Sequence, residues 1–470
     1  MNTRQQTEAQ KSLLVGKQRS YNEVVDYLDK HWGVAADGSL DRMRQLDKAL
    51  DSLSQKISSI LVAGTNGKSI TVHFTARLLK EEGLTVGAFT TPHIMMYNER
   101  LSLNSETIAN KAFTEFANKV IQTVEQCNIV AHTSELLTLI ALQFFHANNV
   151  DVAIMEVSHG GTSDPVNIMP SKVVTVTRIT PMNETEAEIA QAAHEIMGVV
   201  KQGTYLTAGD QNKATLQLMQ ALTEKQGGQW TMPIRKLSHL PYPFEQLHGR
   251  CAALAERVAH HFITNHVKPN ATIVSDSLLC KPKGNRGRPT LEAKRHSELH
   301  PQRTLEQFWK ETINELPGKF ELLDKEKPSI LLDTASNLDA FKNCLLGIRL
   351  LHYQRPLKGI AVVIAATKNS FQGDEFLKQI RYFFKKISGQ VFICATDEIA
   401  PDISQPMWDA EQIANDIKGM KVKARACKNF EEALDLAKKS VDERHGLVIL
   451  TGSKDIVAAY WHLKGIKRLS

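Results

Sequence analysis

At 470 residues the chain is too long for a single core, and a 42% hydrophobic content is enough to fill two or three domains. No run approaches the roughly 18 apolar residues of a membrane span, the N-terminal stretch is polar, and the six cysteines lack any CxxC pair. These features argue against a membrane protein, a secretory leader, a zinc site and a disulfide framework, and make cytoplasmic residence the default expectation. The net charge of +6 is concentrated between Lys281 and Arg303, where seven Lys and Arg against Glu292 and Glu298 leave a local net of +5. The remainder is close to neutral, so a general attraction to nucleic acid or a membrane surface is not indicated.

In chain order, residues 20–56 read as helices, with Tyr21, Val24, Val25, Tyr27 and Leu28 on one apolar face and a second face over Leu40 to Leu53. Ile60 to Ala63 then reads as a buried strand, Gly64 to Gly67 as a turn, and Ile70 to Leu79 as a helix. Leu84 to Thr90 is a short strand that ends at Thr91-Pro92 and projects a loop bearing His93 and Asn98-Glu99-Arg100. Glu135 to Ala147 has helical spacing. Val150 to Val157 is a strand with Glu156 near its carboxyl end, after which Ser158 to Gly161 turns the chain. Val173 to Thr177 and Tyr205 to Thr207 read as further strands, with a helix over Glu184 to Val200 between them.

Residues 268–303 carry Pro, Gly and basic residues with few aliphatics and read as a linker or surface insertion. Arg286-Gly287-Arg288-Pro289 matches the core of an AT-hook, but it is single and short, and a solvated basic loop accounts for it. A second unit follows, with strands at Ser329 to Leu332, Gly359 to Ala365, Gln390 to Ala395 and Gly446 to Leu450 and helices such as Leu338 to Leu351 and Phe430 to Val441. Strands alternating with helices predict parallel sheets in both halves. The expected fold is α/β with two domains: a P-loop type, mostly parallel sheet with flanking helices over 1–267, and a smaller Rossmann-like C-terminal domain over 316–470. Residues 268–315 join them.

The chemistry concentrates at Gly64-Thr65-Asn66-Gly67-Lys68-Ser69. Glycines let backbone N–H groups close around an anion, and the following helix N-terminus adds partial positive charge. Lys68 can neutralise phosphate oxygens, and the Ser69 hydroxyl can reach Mg²⁺. A Walker A loop places glycine where this chain has Val62, so the spacing here is the shorter G-x-x-G-K-S form; an ordinary tight turn is the competing reading. Ligand crevices in open α/β sheets lie beyond the carboxyl ends of strands, which places Glu156 to meet a nucleotide and its metal.

Taken together, the motifs resemble those of folylpolyglutamate synthase and dihydrofolate synthase, members of the Mur ligase superfamily. The resemblance runs from Gly64 to Lys68 through Thr90 to His93, Asn98 to Arg100 and Ser134 to Thr138. It continues over Glu156 to Gly161, Asp164 with Asn167, and Gly198 to Gly203. In the second half it includes Leu316 to Glu321, Leu332 to Asn337 and Thr451 to Ser453. It implies that ATP phosphorylates a folate or pteroate carboxylate and that the amine of L-glutamate attacks the acyl phosphate. Lys68 and Glu156 would be catalytic, and Gly64 to Ser69, Lys319 and Asp333 would bind ATP. Mg²⁺ would be held by Ser69 and Glu156, with Asn183 as a weaker further ligand. The loop of His93, Asn98, Glu99 and Arg100 would face the substrate. A monomer acting on small molecules, without membrane or nucleic acid, is expected.

Departures from the family pattern fall at functional positions. Met182-Asn183 stands for an Asp-His pair whose histidine binds a second Mg²⁺, and Ile196 for a carbamylated lysine. Ser336 replaces a histidine, Cys251-Ala252-Ala253 replaces an H-Q-x-x-N stretch, and Lys319 replaces an arginine, keeping the charge without the bidentate fork. A divergent but working ligase is the favoured reading, and a nucleotide binder with impaired turnover is the alternative.

Overall fold

The computed structural model describes residues 17–33, 40–158, 160–180, 185–267, 278–279, 304–313, 316–365, 373–396 and 409–469. Asn183, Met182 and the basic stretch Arg286 to Pro289 lie outside them. The described strands form two sheets. The first comprises β1 (Ser59–Ala63), β2 (Val86–Phe89), β3 (Leu101–Leu103), β4 (Glu106–Thr107), β5 (Val152–Glu156), β6 (Val173–Val176), β7 (Tyr205–Ala208) and β8 (Gln229–Trp230). Their spatial order is β4-β3-β2-β5-β1-β6-β7-β8. From β2 to β8 neighbouring strands run parallel, while β3 and β4 add an antiparallel edge.

That order explains why the glycine turn lies where it does. After β1 the chain goes to β2 on one side, with β5 filling the gap between them, and later to β6 on the other. The carboxyl end of β1 is therefore a switch point where successive connections diverge and leave a crevice. Every residue of β1 and of β5 is buried, as a strand covered by helices on both faces requires, which is why both read as continuous apolar runs.

The second sheet comprises β9 (Glu321–Leu323), β10 (Ser329–Leu332), β11 (Ile360–Ile364), β12 (Gly389–Ile393), β13 (Ala424–Ala426) and β14 (Leu447–Thr451), in the order β13-β12-β11-β14-β10-β9. All its pairings are parallel except β9 with β10. β14 lies between β10 and β11, and Asp333 follows directly at the carboxyl end of β10.

Helices absent from the sequence reading include Asn110–Gln126, Lys213–Lys225 and Phe244–His266. The last is the most consequential. Ala252, Ala255, Val258, Ala259 and Phe262 pack with Phe74, Leu78 and Leu79 of the helix Lys68–Glu81 that follows the glycine turn, and the small alanines allow close approach. In its first turn, Phe244 packs on both this core and that of the second sheet, Leu247 packs on the second alone, and Phe244 meets Phe320 edge-on at 6.2 Å. One helix thus belongs to both cores. Its apolar residues change partner along its length, so no single uninterrupted stripe marks it in the sequence. Within the stretch expected as linker, Leu305–Thr312 is a helix closed by a Thr304–Gln307 capping box. Its buried Trp309 lies 4.8 Å from Phe74, so this turn also packs on the first core.

Candidate active site between the two sheets

Gly64 ends β1 with φ +127°, and a Cβ there would run into the Thr177 hydroxyl and stand 3.0 Å from the Arg178 carbonyl. Gly67, at φ +84°, caps the helix Lys68–Glu81, and a Cβ would come within 2.8 Å of Cys251 Sγ. Both glycines are demanded by conformation and by space. The turn is pinned from outside by Thr65 N donating to Arg178 O at 2.5 Å and by Thr180 N donating to Thr65 Oγ1 at 3.1 Å. Lys68 Nζ donates to Gly64 O at 3.0 Å, which holds its ammonium over the turn. Burial pushes the Cys251 thiol up to about 11, so it stays neutral against Gly67.

Glu156, 1% exposed, accepts from Thr91 N at 3.3 Å and from the Ser69 hydroxyl. Burial pushes its carboxyl above the usual range, against the opposing pull of Lys68, that hydroxyl bond, the Thr91 amide and Lys319. Lys319 comes from the second half of the chain. Its ammonium donates to Thr334 Oγ1 at 2.7 Å, and burial lowers its pKa against the attraction of Asp333 and Glu156. Asp333 accepts from Phe320 N at 3.1 Å and Ala335 N at 2.9 Å, and burial pushes its carboxyl up to about 6. Lys68, Ser69, Glu156, Lys319 and Asp333 therefore form one electrostatic cluster drawn from the ends of β1, β5 and β10 and the start of β9, across two sheets.

The fold brings the expected substrate loop to this cluster in part. Arg100, fully desolvated and lowered by that burial to about 10, donates from Nη1 to Thr91 Oγ1 at 3.3 Å and from Nε to His93 Nδ1 at 2.9 Å. A guanidinium has no lone pair to offer, so His93 Nδ1 is the unprotonated nitrogen. Burial, with Arg100 and Lys454 nearby, also holds His93 well below its usual value. A buried chain of contacts thus runs from His93 through Arg100 and Thr91 to Glu156. Asn98 and Glu99 do other work. Asn98 accepts from Tyr21 Oη at 2.8 Å and donates to Ile108 O at 2.9 Å, while Glu99 accepts from the amides of Ile94, Met95 and Met96 at 2.7, 3.1 and 2.9 Å. Glu99 shapes the loop through its backbone.

For a divalent cation the chain offers the Ser69 hydroxyl and the Glu156 carboxylate, hard oxygen donors that suit Mg²⁺ when nucleotide phosphates supply further ligands. Among the described residues no group of three or more His, Cys, Asp or Glu could hold a metal by itself. Ile196 is 6% exposed and sits in the apolar core of the first sheet, where it has no donor atom to present. Ser336 is exposed. No helix among the described residues is long and apolar enough to cross a membrane.

Asp333 carries a pH prediction. Its folded-state pKa lies above its ordinary value of 3.8, so the folded protein keeps a proton that the unfolded chain has lost. Its contribution to stability is therefore full below 3.8 and lost as pH rises through about 6. Melting temperatures measured across this window should fall less steeply with pH for Asp333→Asn than for the parent. Parallel curves would show that this carboxyl is not the titrating group.

Two α/β units facing each other across a glycine turn and a buried lysine–carboxylate cluster define the class: a two-sheet α/β protein with its polar cluster at the carboxyl ends of buried strands. No family model matches the chain. It is 25% identical over 444 residues to the dihydrofolate synthase/folylpolyglutamate synthase of Bacillus subtilis, covering 88% of this chain and 92% of that protein. The Mycobacterium tuberculosis folylpolyglutamate synthase complexed with ADP superposes with a TM-score of 0.73 at 19% identity, over 95% of this chain and 98% of that one. A bifunctional folylpolyglutamate synthase/dihydrofolate synthase with Mn, AMPPNP and L-glutamate bound gives 0.71 at 22% identity, over 96% and 100% of the two chains. The chain is thus similar along most of its length to folylpolyglutamate and dihydrofolate synthases, and it shares the fold of the solved ones.

The cluster also includes neighbours that the sequence reading passed over. Thr91 supplies the amide on Glu156, and Arg178 supplies the carbonyl that pins the turn. Local spacing could not have found these two contacts, because each joins residues distant in the sequence through a backbone group.

Proposed function

We propose that this chain is an ATP-dependent ligase that joins L-glutamate to a folate or pteroate carboxylate, releasing ADP and phosphate. The observation that carries the reading is the convergence of Lys68, Ser69 and Glu156 from the first domain with Lys319 and Asp333 from the second. In-line transfer of a phosphoryl group to a carboxylate brings anions together, and the surrounding cations reduce that repulsion. Lys68, held over the turn, would neutralise the transferring phosphate. Lys319 would approach from the other domain, its charge maintained by Asp333 and Glu156. Ser69 and Glu156 would hold Mg²⁺, which supplies Lewis-acid stabilisation and orients the phosphates. Thr91 and Arg100 would keep Glu156 in place. Closure of the domains over the cluster would exclude water, so that the amine of glutamate rather than hydroxide would meet the acyl phosphate.

Divergence at the second-metal position belongs to the same proposal. A buried Ile196 has no donor atom, so catalysis would rest on the first cation site. That observation also favours the second reading, a nucleotide-binding homologue with impaired turnover. A monomer in the cytoplasm is the setting we assign to either. Supplying ATP, Mg²⁺, L-glutamate and either dihydropteroate or a reduced folate should give ADP release that depends on both cosubstrates. Retained nucleotide binding with no cosubstrate-dependent ADP would overturn the ligase reading in favour of the impaired homologue.

A further inference from the structure

The glycine turn carries one side chain that reaches across to the second domain. Asn66 Nδ2 donates to Asp339 Oδ2 at 2.8 Å and to Asn337 Oδ1 at 3.1 Å, and Asn337 Nδ2 returns a bond to Asn66 Oδ1 at 2.8 Å. Asp339 uses its other oxygen on Arg178, whose Nη2 lies 2.9 Å from Oδ1. Arg178 is the residue whose carbonyl pins the turn through Thr65 N. A single carboxylate in the first turn of the helix Leu338–Gln354 is thus tied to the turn at two points, through the Asn66 amide and through the residue that anchors Thr65. Asn337 caps the same helix by accepting from Ala340 N at 3.0 Å, which fixes the reach of both side chains.

We propose that Asp339 is a positioning residue for nucleotide binding: by bridging Asn66 and Arg178 it holds the phosphate loop in shape only while the second domain is closed over it. Domain closure and the conformation of the loop become one event. The inference rests on the reading of Gly64 to Ser69 as a nucleotide phosphate loop, and it concerns Asp339 and Arg178, to which that reading gives no role. A ligand that prefers the closed arrangement loses apparent affinity when the closed population falls, so removing the bridge should weaken nucleotide binding without touching any group that meets the phosphates.

Binding of AMPPNP with Mg²⁺, followed by calorimetry on the full chain, tests this without turnover. Asp339→Ala and Arg178→Ala should each weaken binding about five- to tenfold, within the range typical of coupling between sites. Because both remove the same bridge, the double variant should be little worse than Asp339→Ala alone. The exchanged pair, Arg178→Asp with Asp339→Arg, should recover part of the loss. The Arg178 side chain is 55% exposed, so the parent's advantage over Asp339→Ala should also shrink as salt is raised. A residue that served folding alone would show neither the recovery nor the salt dependence. Unchanged affinity in Asp339→Ala, or independent and additive effects of the two single changes, would overturn the inference while leaving the ligase reading intact. Absent ligase activity with the predicted affinity losses would do the reverse.

Discussion

Replacing Lys68 by alanine is expected to reduce cosubstrate-dependent ADP release by on the order of a thousandfold, as the loss of a preorganised charge at a transferring phosphoryl group does. The reason is positional. Lys68 begins the helix behind the glycine turn, its ammonium is folded over Gly64 O, and its charge is the foremost of the influences that oppose burial at the Glu156 carboxylate. Its side chain crosses no core, so unfolding in denaturant should stay within about 0.5 kcal/mol of the parent, as for other substitutions away from packed features. Lys68→Arg should recover little, because a planar guanidinium does not reproduce a compact ammonium in the same turn. Undiminished ADP release from a folded Lys68→Ala protein would place phosphoryl transfer somewhere other than this loop.

The second large effect belongs to Glu156. Glu156→Gln keeps the shape and removes the charge, and it should lower turnover on the order of a hundredfold and raise the Mg²⁺ concentration needed for half-maximal rate. The sign of its pH dependence follows from the raised pKa. Protonation at acid pH removes the carboxylate that the cation needs, so activity should fall as pH drops, through a limb lying above the ordinary carboxyl value of 4.5. For stability the sign is opposite. The protonated form is the better tolerated one in this buried site, so Glu156 contributes most below 4.5 and that contribution is lost as pH rises through the raised value. At neutral pH the Gln variant should therefore melt no lower than the parent. A Gln variant that turns over normally, with an unchanged acid limb, would remove Glu156 from the cation site.

Gly64 and Gly67 illustrate what could be read directly. Their place between an apolar run and a helical pattern marks a turn that needs positive φ, and the structure supplies both the φ values and the close neighbours that forbid a Cβ. Glu156 was legible for a related reason: a carboxylate at the end of an all-buried strand has few neighbours to satisfy it other than those at the crevice. Helix Phe244–His266 was not legible, because its apolar residues serve two cores in succession. Asn98 and Glu99 read in the sequence as part of a substrate-facing loop. Their bonds to Tyr21, Ile108 and the amides of residues 94–96 are contacts that no spacing announces.

The alternation of strands and helices, the position of the glycine turn, and the lysine, hydroxyl and carboxylate that gather beside it can all be read along the chain. All of these follow from local periodicity, the conformational demands of glycine and the apolar character of strands buried on both faces. The tertiary structure decided which distant groups meet that turn. Asp339 lies 273 positions from Asn66, and no local pattern links them. Their contact exists because the two sheets set the carboxyl ends of β1 and β10 toward each other, and because helix Phe244–His266 is packed into both cores. Long-range apposition of this kind depends on how whole faces pack, and a linear spacing carries no record of it.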